Sequence, residues 1–323
     1  MRVSRSDLLL LPVLVAFAAA PFWVDAFNLD VLTTGLIYGL MAMGLALLVG
    51  QAGLPSLGHA AFVGVGGYAA ALLSLHVSEN PLLGLLVAGL VGGVLATLLG
   101  VMSLRSKGVY FLMISLALAE LVHAAAIRNN SLGGDNGLSI SNAPIPLLGA
   151  NGLPRGVNLY WYVLVIAVVI YLLLRLVLAA PVGQAILGSK DNNERMRALG
   201  YSVLALRMVA LVVSGVTVAI GGALLTQKDV FISPAALSPE TSILLLVMVL
   251  VGGSSSLLGP FLAGVGLVLL RSYISSSLGE YWVLVLGLIF VLTVYFMPQG
   301  VASLVRWQRK DRPVERTGEL VAH

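Results

Sequence analysis

Residues 50–68 read GQAGLPSLGHAAFVGVGGY. Six glycines, a proline, a glutamine and a histidine interrupt an otherwise apolar run. Whether this is a soluble turn or a break in a membrane helix decides the fold, and the residues around it give the answer. Of the 323 residues, 59% are apolar and only 10% charged, with a mean hydropathy of +1.01. A water-soluble chain carries about a quarter charged residues. The few charges here cannot cover a water-facing surface of this size. A bilayer core about 30 Å thick takes about 20 apolar residues per helix, and such runs flank the stretch on both sides. The expected fold class is therefore all-α, a polytopic membrane protein with interrupted helices.

Working outward, apolar stretches fall at 8–24, 32–50, 57–75, 82–103, 109–127, 160–179, 205–227, 241–252, 258–275 and 281–297. That is about ten transmembrane helices, or nine if the short eighth stretch, or the nearly touching second and third, do not cross separately. With the N-terminus in the cytoplasm and one crossing per stretch, 14 of the 18 basic residues fall inside, among them Arg105, Lys107, Arg195, Arg197 and the tail residues from Arg306 to Arg316. Arg128, Arg155, Lys228 and Arg271 fall outside. This excess follows the positive-inside rule and places both termini in the cytoplasm. It also explains the pI near 9.4 by membrane orientation, so no nucleic-acid partner is expected. The first 24 residues resemble a signal peptide, with Arg2 and Arg5 before an apolar run and AFAAAP at its end. Pro21 after the small residues disfavours cleavage, so a retained first helix is expected. The permease domain is assigned to 1–304 and a basic cytoplasmic tail to 305–323.

Two connections are long. The outer one, 128–159, is rich in Gly, Asn and Pro, with Asp135, Asn136 and Asn142 available for docking. The inner one contains a stretch at about 183–200 that reads as an amphipathic helix. Ala185, Ile186, Met196 and Leu199 alternate with charges, and Gly200 is a natural stop. As pattern alone it is either a solvated connector or a docking helix. There is no cysteine, hence no disulfide and no thiol nucleophile. No phosphate-binding G-x-x-x-x-G-K-[ST] loop, HExxH or G-x-S-x-G motif occurs. The four histidines, at 59, 76, 123 and 323, do not make a metal site. The chain is read as a transporter and not an enzyme, with no metal or cofactor of its own.

The glycine-rich stretch has a physical cost. Backbone groups exposed to lipid cost several kcal/mol each, so irregular backbone at membrane depth survives only where protein or water covers it. Pro55 removes a donor, and Gly53 and Gly58 relax the chain. Gln51, Ser56 and His59 can pair the freed groups or meet a solute. A second break, GGSSSLLGPFLAGVG at 252–266, echoes the first. Paired glycine-interrupted segments point to a transport pathway, and tight helix packing is the competing reading. Glu120 lies inside a span, three residues before His123. An intramembrane carboxylate is costly and points to function, although Glu120 can also serve to lock helices together. The candidate pathway residues are Gln51, Ser56, Gly58, His59 and Glu120.

Several stretches resemble the permease subunits of branched-chain amino acid ABC importers, of the M type. They are GQAGLPSLGHAAFVGVGGYAAAL at 50–72, LRSKGVYFLMISLALAEL at 104–121, LGGDNGL at 132–138, GQAILGSKDNNERMRALGYSV at 183–203, LVMVLVGGSSSLLGPFLAG at 246–264 and FMPQG at 296–300. The resemblance implies a type II-like importer permease in a bacterial inner membrane. It further implies a second permease subunit, two ATPase subunits carrying ATP and Mg, and an extracytoplasmic substrate-binding protein. The 183–200 stretch then becomes the coupling helix, with Asp191, Asn192, Glu194, Arg195, Arg197 and Gly200 at the ATPase. The chain departs from the family pattern at Asn193, where Glu is usual, and at His123, where Arg is usual. Relatives of the family import urea, short amides or aromatic acids, so these solutes stand beside branched-chain amino acids. An ion-coupled secondary transporter remains the reading from another class. A single intramembrane carboxylate speaks against it.

Overall fold

A computed structural model of the protein describes residues 5–106, 108–140, 155–278 and 282–296. The 305–323 tail, Lys107, Asn142 and the rest of the outer connection from 141 to 154 lie outside the described residues. Twelve α-helices are present among those described: α1 Arg5–Ala19, α2 Ala26–Ala46, α3 His59–His76, α4 Pro81–Ser103, α5 Val109–Arg128, α6 Arg155–Ala179, α7 Pro181–Asp191, α8 Asn193–Ala198, α9 Val203–Asp229, α10 Pro239–Gly252, α11 Leu258–Leu278 and α12 Trp282–Phe296. Each of the ten apolar stretches is one helix, and α7 and α8 form the inner connection. Among the described residues six helices are long and apolar enough to cross a membrane, the first being α2 continued to Gln51. α10 has 14 residues, about 21 Å at 1.5 Å per residue. It is too short to span a bilayer core alone.

Helices alternate in direction, and their ends gather on two faces. On one face Lys228 Nζ meets Asp30 Oδ2 at 2.9 Å, and Gln227 Nε2 donates to the Pro81 carbonyl at 2.9 Å. Tyr273 Oη donates to Asn28 Oδ1 at 3.2 Å on the same side. On the other face Lys190 Nζ donates to the Gly50 carbonyl at 2.8 Å. A Cβ on Gly50 would collide with the Ser254 carbonyl there. The segments 50–58, 180–202 and 253–257 therefore share one face, and 76–81, 128–140 and 229–238 share the other. This is the order that one crossing per stretch requires.

α2, α3 and α9 form the centre of the bundle. In lipid, helices gain little from apolar burial against each other, so close backbone approach through small residues is what holds them. α4 carries Gly84, Ala88, Gly92, Ala96 and Gly100 at a strict spacing of four, and all are buried. The stripe runs along α9: a Cβ on Gly92 would strike the Ala219 side chain, and one on Gly100 would lie 2.6 Å from the Met208 sulfur. The α3–α9 seam is tighter still. A Cβ on Gly66 would strike the Ala219 carbonyl, and one on Gly222 the Val63 carbonyl. Opposite faces of α4, α5 and α6 expose Leu86, Leu90, Tyr110, Met113, Val169 and Leu173, as a lipid-facing or partner-facing surface requires. α1 packs into the bundle: Tyr160 Oη donates to the Phe17 carbonyl at 2.6 Å, and Phe17 meets Phe261 edge-on at 6.0 Å.

One small sheet joins the helices. β1, Leu138–Ser139, pairs antiparallel with β2, Phe231–Ile232, and Ile140 N–H donates to the Val230 carbonyl at 3.0 Å. The preceding LGGDNGL run turns through Gly133, Gly134 and Gly137, all with positive φ. A side chain at Gly137 would collide with the Ile232 carbonyl, so the glycines are needed for the outer connection to dock on the end of α9.

Candidate functional site

The break after α2 begins before its glycines. Leu47–Gln51 wind as a π-helix, a widened turn that recurs at functional sites. Gly53, at φ 69°, then reverses the chain, and Leu54 N–H closes the end on the Leu48 carbonyl at 3.2 Å. Residues 52–58 form an irregular strap leading into α3. Hydroxyls from other helices satisfy the strap and the first turn of α3. Ser115 of α5 accepts from Leu57 N–H at 3.1 Å, and Ser242 of α10 accepts from Ala60 N–H at 2.8 Å. Ser56 Oγ accepts from Gly58 N–H at 3.1 Å. A Cβ on Gly58 would lie 2.8 Å from the Ser115 carbonyl, so only glycine lets α5 approach the strap.

His59 closes this network. Its Nε2 lies 2.9 Å from Ser214 Oγ and its Nδ1 3.1 Å from Ser56 Oγ. Ser214 spends its proton on the Gly44 carbonyl at 2.7 Å, so its oxygen must accept from Nε2–H. Nδ1 then accepts the Ser56 proton. This neutral tautomer satisfies all three side chains, whereas a second ring proton would leave the Ser56 hydroxyl without an acceptor. His59 is 0% exposed and Ser56 2%, and Phe62 stands edge-on to the imidazole at 5.3 Å.

The candidate pathway residues are therefore placed differently from one another. Ser56, Gly58 and His59 lie together in a hydrogen-bonded seam of α2, α3, α5, α9 and α10. Gln51 lies at the partly open end of the π-turn. Glu120 is elsewhere, on α5, with its side chain 48% exposed and Oε2 3.7 Å from His123 Nδ1. The second break is a turn between α10 and α11. Gly253, at φ 87°, ends α10, and Gly252 and Gly259 pack backbone to backbone. Gly264 then packs on Gly39 of α2, 2.6 Å from its Cβ position to the Gly39 Cα. Within this chain both glycine-rich breaks are built as packing seams. Among the described residues no cluster of three or more possible metal ligands occurs.

The inner connection differs from a single amphipathic helix. Asn192, at φ −154°, leaves helical geometry, and its Oδ1 accepts from both Glu194 and Arg195 N–H at 3.0 Å. It is the N-cap of α8, and this is why the stretch is two helices. Ala185, Ile186 and Met196 face the bundle, while Asp191, Glu194, Arg195, Arg197 and Gly200 are exposed. Gly200, at φ 86°, ends α8: Tyr201 N–H returns to the Met196 carbonyl at 3.0 Å. Arg207 reaches back to Asn193 Oδ1 at 3.3 Å, which ties α8 to the foot of α9. Leu187, Leu199 and Tyr201 add exposed apolar surface to the same region.

Nothing in the sequence marked Ser115, Ser214 and Ser242, which hold the strap and the start of α3, or Lys190. The serines carried no local signal, since they come from separate helices. Lys190 stood within a charged run and was indistinguishable from a solvated residue.

The model of the family described as branched-chain amino acid transport system, permease component, matches residues 27–294. The high-affinity branched-chain amino acid transport system permease protein LivM of Salmonella typhimurium is 30% identical over 98% of this chain and 79% of its own length. The protein of that name from Escherichia coli is 29% identical over the same shares. A probable branched-chain amino acid transport permease protein LivM of Methanocaldococcus jannaschii is 26% identical over 86% of this chain and 93% of its own. No solved structure matches the chain.

Proposed function

This chain belongs to the permease components of branched-chain amino acid transport systems, and from that premise we propose how its two faces are used. It is a membrane-embedded transport permease of the ABC importer class. It forms the pathway with a second permease subunit in a bacterial inner membrane, with both termini in the cytoplasm. Branched-chain or related apolar amino acids are its solutes. Two ATPase subunits, which hold ATP and Mg, bind the face that carries α7 and α8. The observation that carries this reading is that the exposed charges of α7–α8 share a face with both helix breaks, the face that the excess of basic residues places in the cytoplasm.

Asp191, Glu194, Arg195 and Arg197 present the charge pattern to the ATPase, while Asn192 and Gly200 set the shape of α8. Arg195→Glu with Arg197→Glu tests this. Placing like charges across an interface costs several kcal/mol. Leucine uptake per ATP hydrolysed should fall by about tenfold or more on that scale, with the permease still folded. An unchanged ratio in the purified complex would overturn the assignment.

The opposite face receives the extracytoplasmic binding protein. The β1–β2 pair and the turns at Asp135 and Asn136 form a rigid, polar platform there. A photo-crosslinker at the exposed Ser139 should capture added binding protein. Failure to capture it from Ser139, Asn136 and Ile140 alike would remove the platform from the docking site.

The pathway runs beside the strap. Ser56, Gly58 and His59 fix the strap from behind, and Gln51 offers its amide at the open end. Glu120 supports placing the second permease or a water-filled path against α5, because a carboxylate facing lipid is costly.

A further inference from the structure

Three segments that are remote in sequence meet at the end of α2. The first is the π-turn at Leu47–Gln51. The last carbonyls of a helix lack partners within it, and the widened turn leaves the Gly50 carbonyl free to face outward. The second is the turn between α10 and α11. Its Ser254 carbonyl lies where a Gly50 side chain would be, so Gly50 is wedged in place. The third is α7, whose Lys190 donates from Nζ to the Gly50 carbonyl at 2.8 Å. A cation at a helix C-terminus also complements the helix dipole. The Lys190 side chain lies across Gly53 as well, with Cγ 3.1 Å from the Cβ position there. Lys190 is two residues before Asn192, where the chain breaks between α7 and α8. It therefore sits at the joint of the exposed pair and reaches into the joint of the broken helix.

We propose that Lys190 is a positioning residue that ties movement of α7–α8 to the broken end of α2, so that the strap at 52–58 moves with the pair. This rests on the reading of α7–α8 as the ATPase-facing segment. Gly50 leads directly into the strap, which is bonded to α5 through Ser115, and the first turn of α3 that follows it is bonded to α9 through Ser214 on His59 and to α10 through Ser242 on Ala60. A pull on the Gly50 carbonyl thus reaches the helices around the pathway. Lys190, Arg195 and Arg197 are all exposed, but Lys190 lays its Nζ on the Gly50 carbonyl of the membrane bundle, whereas Arg195 and Arg197 point to the cytoplasmic surface. Losing it breaks transmission while leaving docking intact.

The test uses the whole complex of permeases, ATPases and binding protein in proteoliposomes, read as radiolabelled leucine taken up per ATP hydrolysed. In Lys190→Met this ratio should fall by about tenfold, the scale of one charge-assisted hydrogen bond. ATP hydrolysis should continue and the ATPase subunits should still copurify. Lys190→Arg, which keeps the donor, should recover most of the ratio. A wild-type ratio in Lys190→Met overturns the proposal. A second variant answers even if Lys190→Met assembles poorly. The Gly53 Cβ position is 3.8 Å from the Lys190 Cβ, within the roughly 3.5–4.5 Å that a disulfide spans, and the chain has no cysteine of its own. In Gly53→Cys/Lys190→Cys the strain of a side chain at φ 69° is common to both states, so the oxidised complex should couple several-fold better than the same complex after reduction. Equal ratios in the two states overturn the proposal. The reading of α7–α8 fails in a different way: the wild-type permease would not bring ATPase subunits with it, and both statements would fall together.

Discussion

Gly222→Leu will remove the folded permease from the membrane. A Cβ at this position collides with the Val63 carbonyl across the α3–α9 seam, and Gly66 meets the Ala219 carbonyl from the other side. The obstacle is backbone in both directions, so no rotamer change can relieve it. Overpacking that side chains absorb costs about 1–3 kcal/mol. Here α3 and α9 must separate instead. Separation also lifts α9 from the small-residue stripe of α4, where Gly92 faces Ala219, and from Phe62, which packs on Gly215. Helix association in lipid depends on these close contacts. The monodisperse yield in detergent should drop by more than about tenfold, a loss of over about 1.4 kcal/mol. Gly89→Ala is the control. It is also buried on α4, but its nearest neighbour is the Ile220 side chain at 3.5 Å, an ordinary contact, and its yield should match wild type. A Gly222→Leu protein of normal yield would show that the seam is looser than described.

That contrast also shows what the sequence could disclose. The ten helices were legible because a bilayer imposes one rule on every crossing, and the apolar runs at 82–103 and 258–275 became Pro81–Ser103 and Leu258–Leu278. The alternation of faces was the premise under which the basic residues sorted to one side. The four-residue spacing of Gly84, Ala88, Gly92, Ala96 and Gly100 stands out only once α9 is seen against it, because nothing in the sequence names its partner helix. Lone residues were a different matter. Gln51, Ser56, Gly58 and His59 are neighbours in sequence, but His59 is held by Ser214, 155 residues away, and the start of α3 by Ser242, 182 residues from Ala60. No local pattern announces such partners. The split at Asn192 was hidden for a related reason. Amphipathic periodicity runs through both α7 and α8, and only the cap geometry of Asn192 interrupts it.

His59→Leu should destabilise the permease strongly while moving the turnover of each surviving complex much less. Leucine fills a similar apolar volume but removes the acceptor for the Ser56 proton and the donor to Ser214 Oγ. Both serines remain buried, and each group left unpaired costs about 1–3 kcal/mol. A loss of several kcal/mol is a large part of the usual margin of about 5–15 kcal/mol, so thermal unfolding in detergent should begin several degrees lower. The network makes a further prediction about additivity. Ser214→Ala alone leaves Nε2–H without its acceptor and the Gly44 carbonyl without its donor, and should be costly. Added to His59→Leu it removes a hydroxyl already short of one partner, and should cost clearly less. Residues in one hydrogen-bond network show interaction energies of about 0.5–3 kcal/mol, so the cycle has a measurable signal. A pathway ligand behaves otherwise: its loss would lower uptake per folded complex with the unfolding temperature unchanged. Should His59→Leu keep its thermal stability and lose transport, the imidazole contacts the solute and the seam is not its role. Should stability fall and the two substitutions prove non-additive, His59 serves by fixing the strap. That outcome is the one expected if, as proposed, the path runs beside the strap and His59 does not line it.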